Sequence, residues 1–150
     1  MAESASRQLA GFLSKYDPAI AAHVRAALAQ LRKRVPGAVE LVYDNYNALA
    51  IGFGPGEKAS EAILSIAAYP RWVSLFFLQG VGLPDPKKLL QGSGTRVRHI
   101  VLKDPRRDLA CPDVEALIAA ALKSAVRPID PAQRRQLVIK SVSPKQRPRR

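Results

Sequence analysis

Five neighbouring side chains, Tyr43, Asp44, Asn45, Tyr46 and Asn47, put two phenols, a carboxylate and two amides into one short stretch. Such a set can orient a small polar ligand by hydrogen bonds and ring stacking. The same residues also suit a turn, because Asp and Asn tolerate left-handed backbone and bond their own chain. Tyr beside a turn is ordinary strand composition. Five such polar groups exceed what a turn requires, which makes 43–47 the first candidate site. A second set, Tyr69, Arg71 and Trp72, brackets Pro70. It reads either as an aromatic and guanidinium platform for a planar ligand or as an aromatic anchor packed under a turn. His99, beside Arg98, offers a base or an anion contact. A period of two also groups it with Val97 and Val101 as a half-buried strand residue.

Other chemistry is thinly represented. Two histidines, His23 and His99, and one cysteine, Cys111, are too far apart in sequence to make a metal-ligand pattern. Cys111 opens a helix, where the dipole can lower a thiol pKa. No His or Asn partner is placed beside it, so a capping or packing role fits better. The run GSGTR lacks phosphate-loop spacing and leads into a strand rather than a helix. Paired carboxylates, a nucleophile elbow and a dinucleotide fingerprint are all missing from the sequence. The expectation is a binding protein, not an enzyme, with no metal and no cofactor.

Charge is the strongest compositional signal: 24 Lys and Arg against 12 Asp and Glu give +12 over 150 residues. Eight of those bases and one acid fall in 127–150, leaving the preceding body at only +5. The basic end reads as a nucleic-acid or anion contact through phosphate neutralisation, or as a solvated end that favours solubility. The candidate contacts are Arg96, Arg98, Lys145, Arg147, Arg149 and Arg150. The expected partners are an unknown small ligand or protein, with weak, non-specific nucleic-acid binding as a further option. No membrane partner is expected, and the chain reads as a monomer or small homo-oligomer. The lone cysteine excludes an internal disulfide, and the N-terminus carries no long apolar leader. A cytoplasmic setting is the expectation.

Positioning these groups requires a sheet. Leu9, Phe12, Leu13 and Tyr16 recur at helical spacing, and Asp17-Pro18 starts a second helix with a stripe of Ile20, Val24, Leu28, Leu31 and Val35. Pro36-Gly37 ends it. A hairpin follows, with Val39, Leu41 and Tyr43 on one face and Glu40, Val42 and Asp44 on the other. In its second strand Leu49, Ile51 and Phe53 oppose the small Ala48, Ala50 and Gly52, which suggests a helix packed on the small side. Residues 62–69 and 72–78 read as strands. The loop 80–94 should hold one helical turn started by Asp85-Pro86, and 95–103 is a fifth strand. Cys111-Pro112 opens a last helix, 137–142 forms an edge strand or lies across the body, and 143–150 reads as a disordered basic tail. The expected fold is α+β, an antiparallel sheet of about five strands with helices from both ends packed on it, in one domain spanning 1–142.

Three segments, VPGAVELVYDNYNALAIGFGP, AYPRWVSLFFLQG and GSGTRVRHIVL, resemble the bacterial YdhG-like domains, a family of unknown function. The resemblance covers roughly residues 17–125 and implies an α+β fold with an antiparallel sheet and flanking helices. Some relatives are likened to frataxin and described as iron chaperones for iron–sulfur cluster assembly, which implies an iron role as an alternative. Many relatives carry Tyr-Gly-Met-Pro at the hairpin, where this chain has Tyr43 followed by Asp44-Asn45-Tyr46.

Overall fold

The computed structural model describes residues 4–150; residues 1–3, with which the expected domain opens, lie outside that range. Helix α1 (Ala5–Leu13) starts on Ser4, whose hydroxyl accepts from the Arg7 amide at 3.2 Å. Helix α2 (Pro18–Arg34) starts with Pro18 in its first turn and ends on Arg32, Lys33 and Arg34, cations that suit the negative end of the helix dipole. Asp17 occupies the position before it but caps no amide; its carboxylate lies 3.7 Å from Arg150 instead. Gly37 carries the chain out of α2 with φ +81°, and a Cβ there would collide with the Asp130 carbonyl oxygen.

Strands β1 (Val39–Asp44), β2 (Leu49–Gly54), β3 (Leu64–Ala68), β4 (Val73–Phe77) and β5 (Arg98–Leu102) pair antiparallel in sequence order. After the short α3 (Pro105–Asp108) and α4 (Pro112–Ser124), β6 (Gln136–Val142) adds to the outer edge of β1 and runs parallel to it. The sheet is therefore mixed and six-stranded, in the order β5-β4-β3-β2-β1-β6. The expectation of a purely antiparallel sheet fails at β6. The α4 crossover and the long link after it let the chain return in the parallel sense. Gln133 anchors that link by donating to the carbonyls of Gly37 and Pro55 at 2.6 and 3.1 Å.

The helices lie on one side of the sheet, over the face that carries Val42, Leu49, Ile51, Phe53, Ile66 and Leu75. This is also the face of Glu40 and Asp44, since side chains alternate along β1. The small side of β2 does not receive a helix. A single 3-10 turn at Ala59–Glu61 and the Ala62 that follows it lie there, so close that a Cβ on Gly54 would be 3.1 Å from the Ala62 Cα. The 80–94 loop holds no helical turn. Lys88 takes φ 53°, and the Asp85 carboxylate accepts from the Leu89 and Leu90 amides at 2.9 Å each. Local side-chain bonding satisfies the amides that a helical turn would otherwise present.

Residues 143–150 are packed, not disordered. Ser143 donates its amide to the Asp44 carbonyl and Arg147 to the Tyr46 carbonyl, at 2.8 Å each, so the segment lies along the first hairpin. Arg149 is 4% exposed. Basic and proline-bearing composition argues for disorder only when nothing inside the fold needs the charge. Here a buried acid does.

Candidate functional site

The β1–β2 hairpin and the β3–β4 turn emerge at the same end of the sheet, because Asp44 pairs with Leu49, Leu49 with Ala68, and Ala68 with Val73. The register therefore brings the two sequence-predicted aromatic clusters together. The Asn45 amide closes the hairpin tip on the Ala48 carbonyl at 3.0 Å, leaving Asn45, Tyr46 and Asn47 exposed. Tyr69 and Trp72 close the neighbouring turn through a 2.9 Å main-chain bond, and their rings stack at 4.6 Å with 19° between planes. Trp72 is 44% exposed, so one edge of the stack faces solvent.

Behind the tip lies Asp44, which the helix-side packing removes from water entirely. Lys15, from the link between α1 and α2, donates to one carboxylate oxygen at 2.7 Å, and Arg149 donates to the other at 2.9 Å. Gln146 donates to the Asp44 carbonyl at 3.0 Å and accepts from Lys15 at 2.8 Å. Burial alone would raise the Asp44 carboxyl pKa; the hydrogen bonds from Lys15, Gln146 and Arg149 outweigh it and hold the group below the ordinary 3.8. Arg149 also donates to the Asn45 and Tyr46 carbonyls at 2.6 and 3.4 Å, and its guanidinium sits 5.7 Å from the Tyr16 ring centre. Tyr16 is itself buried: it donates to the Ala68 carbonyl at 2.7 Å and accepts from the Leu49 amide at 3.1 Å. Burial pushes its phenol pKa up, against that amide bond. The hairpin tip is thus tied to both chain ends.

Fixing 143–149 along the tip completes a cleft of about 560 Å3 lined by Asn47, Tyr69, Pro70, Trp72, Arg147 and Pro148. The Arg147 guanidinium lies 5.8 Å from the Tyr46 ring centre, within cation–π range. The cleft therefore combines a flat aromatic platform, a cation and an amide.

Not every expected site residue joins it. Arg71 is exposed at the turn and does not line the cleft. Tyr43 points to the sheet face away from the helices, and its buried hydroxyl has no hydrogen-bond partner among the described residues. His99 lies on β5, separated from β1 by the three strands β2, β3 and β4, and is tilted against Phe76 at 5.2 Å. Arg98 donates to the Gly94 and Val97 carbonyls at the other end of the sheet, and Arg96 lies beyond it. Of the tail cations, Lys145 and Arg147 are exposed, Arg149 is consumed inside, and Arg150 faces Asp17. Sequence reasoning missed Pro148 and the role of 143–149 as a wall. The signal was present in the acids at 40 and 44, which sit in an otherwise apolar strand and must recruit cations if that face is buried.

The two buried carboxylates of β1 already hold cations. Glu40 receives Arg32 in a two-pronged contact at 2.8 and 3.0 Å and Arg135 at 3.1 Å, while Asp44 is held as described. Among the described residues no group of three His, Cys, Asp or Glu side chains converges on a metal position. Among the same residues no helix is long and apolar enough to cross a membrane. No family model, no curated protein and no solved structure matches the chain.

Proposed function

We propose that this is a small, cytoplasmic, non-catalytic binding domain of the YdhG-like type that holds a flat, anionic ligand or partner group at the first hairpin tip. One observation carries the reading: the half-exposed Trp72, stacked on Tyr69, shares a cleft with Arg147 and Asn47. A planar ring would lie against the aromatic pair, and its acidic substituent would accept from the guanidinium. The net charge of +12 draws anions towards the surface at long range. The lining side chains include no nucleophile with an adjacent base, which favours retention of the ligand over its conversion.

Trp72 is the sole tryptophan, so its fluorescence reports on the cleft directly. Titration with adenosine monophosphate and with naphthalene carboxylate should give saturable quenching by at least one of them, lost in Arg147→Ala while the fold is retained. Absence of saturation with both probes, or unchanged binding in Arg147→Ala, would refute the assignment.

A further inference from the structure

At the opposite end of the sheet lies a larger cavity, of about 700 Å3. Its position follows from the register: Ile63 and Gln79 line it, and they flank the Leu64–Phe77 pair, the far end from Tyr69 and Trp72. The walls come from three parts of the chain: Ile63 beside the 3-10 turn, Leu83 and Pro84 from the β4–β5 loop, and Ala120 and Ala121 from the end of α4. Two valines stand at its mouth and are not covered by the fold, Val81 at 49% and Val126 at 105% exposure. Apolar side chains gathered at the mouth of an apolar cavity mark a place where burial is completed by something else. The volume lies within the range of small-molecule sites, roughly 300–1,000 Å3.

The rim specifies the head group. Arg127 donates to Glu61 at 2.9 Å, and these are the two charged residues of the lining; Ser60, Ser124 and Gln79 add uncharged polar groups. An anionic head would accept from Arg127 but meet the charge of Glu61. A cationic head meets the reverse conflict. A hydroxyl or carboxamide both donates and accepts, so it satisfies the two members of the pair without separating them.

We propose that this cavity binds an uncharged apolar small molecule carrying one hydroxyl or carboxamide head, seated with the head on the Glu61–Arg127 pair and the chain against Ile63, Leu83 and Ala121. The site is separate from the hairpin-tip cleft and does not depend on its assignment.

The test compares 1-octanol, octanoate and octylammonium, which share a chain and differ in the head, by following backbone amide shifts in the labelled protein. Octanol should saturably shift the amides of Gly82, Ala121 and Arg127 and leave the Trp72 indole unmoved. The two ions should bind about tenfold more weakly. Ala120→Phe, which places a ring in the cavity, should abolish the octanol shifts, and Val126→Asp, at a fully exposed position, should weaken them without touching the fold. Glu61→Gln leaves Arg127 unopposed and should move the preference to octanoate. Equal binding of all three probes to the unaltered protein, octanol shifts centred on Trp72, or the absence of saturable shifts would each overturn the proposal.

Discussion

Glu40 and Asp44 stand four residues apart on one strand and one face, both fully buried, each gripped by a cation from the first 34 residues (Arg32 of α2, Lys15 of the α1–α2 link) and an arginine from the C-terminal region. They differ in what their partners see. Around Glu40, the Arg32 and Arg135 side chains are 32% and 46% exposed, so both cations keep a route to water. Beside Asp44, the Lys15 side chain is 41% exposed but that of Arg149 only 3%, shut in by the hairpin carbonyls and the Tyr16 ring. Glu40 ties α2 to the incoming β6 strand. Asp44 anchors through the buried Arg149 a segment that is otherwise held to the hairpin by amide and main-chain hydrogen bonds from Ser143, Gln146 and Arg147, and that segment forms one wall of the cleft. Two acids of similar burial thus do different work, because the desolvation of the partner decides what their loss would leave behind.

Removing the acids one at a time should separate them. Asp44→Ala leaves the Arg149 guanidinium buried without a counter-charge, and a loss of about 3–5 kcal/mol in denaturant-monitored stability is expected. The 143–149 wall should detach with it, read as new proteolytic cleavage after Val142. Glu40→Ala frees two arginines that can turn outward, so the expected loss is smaller, about 1–3 kcal/mol, with the C-terminal wall still protected. Equal losses would mean that the burial of the acid, and not that of its partner, sets the scale.

Acid titration sharpens the same contrast. The Asp44 pKa is lower in the folded protein than in the unfolded chain, so below the ordinary 3.8 the unfolded state binds the proton first. Its contribution is complete above that pH and is lost as the pH falls through the folded value. Asp44→Asn should flatten the stability profile in that window. A profile as steep as that of the unaltered protein would place the acid sensitivity elsewhere. The smallest effect is expected at the cleft itself. Trp72→Ala, at a half-exposed position, should change stability by no more than about 0.5 kcal/mol. A larger loss would make the Tyr69–Trp72 stack a structural anchor of the turn.

Much of the local architecture was legible along the chain. The Asp17-Pro18 and Cys111-Pro112 helix starts and the apolar spacing of α2 and α4 are local signals, as are the alternation of β2 and the turn at Tyr69-Pro70, and the structure places those elements there. The 80–94 loop was misread because Asp85 can satisfy amides equally well without a helical turn. The aromatic clusters of the cleft were also visible as residue types. Their convergence was not, because it depends on strand register and on which elements share a sheet end.

The sequence by itself determined where α2, α4 and five antiparallel strands form, since capping, turn chemistry and hydrophobic period act within a few residues, while the short α3 carried no signal that was read. It also determined that two acids lie on one face of β1. Tertiary structure alone decided that this face lies under the helices, that β6 returns parallel to β1, and that the basic segment 143–149 becomes a wall instead of a free tail. The last of these turns on the desolvation of charges brought together from residues 15, 44 and 149. No local pattern encodes that meeting, and the packed helices make it obligatory.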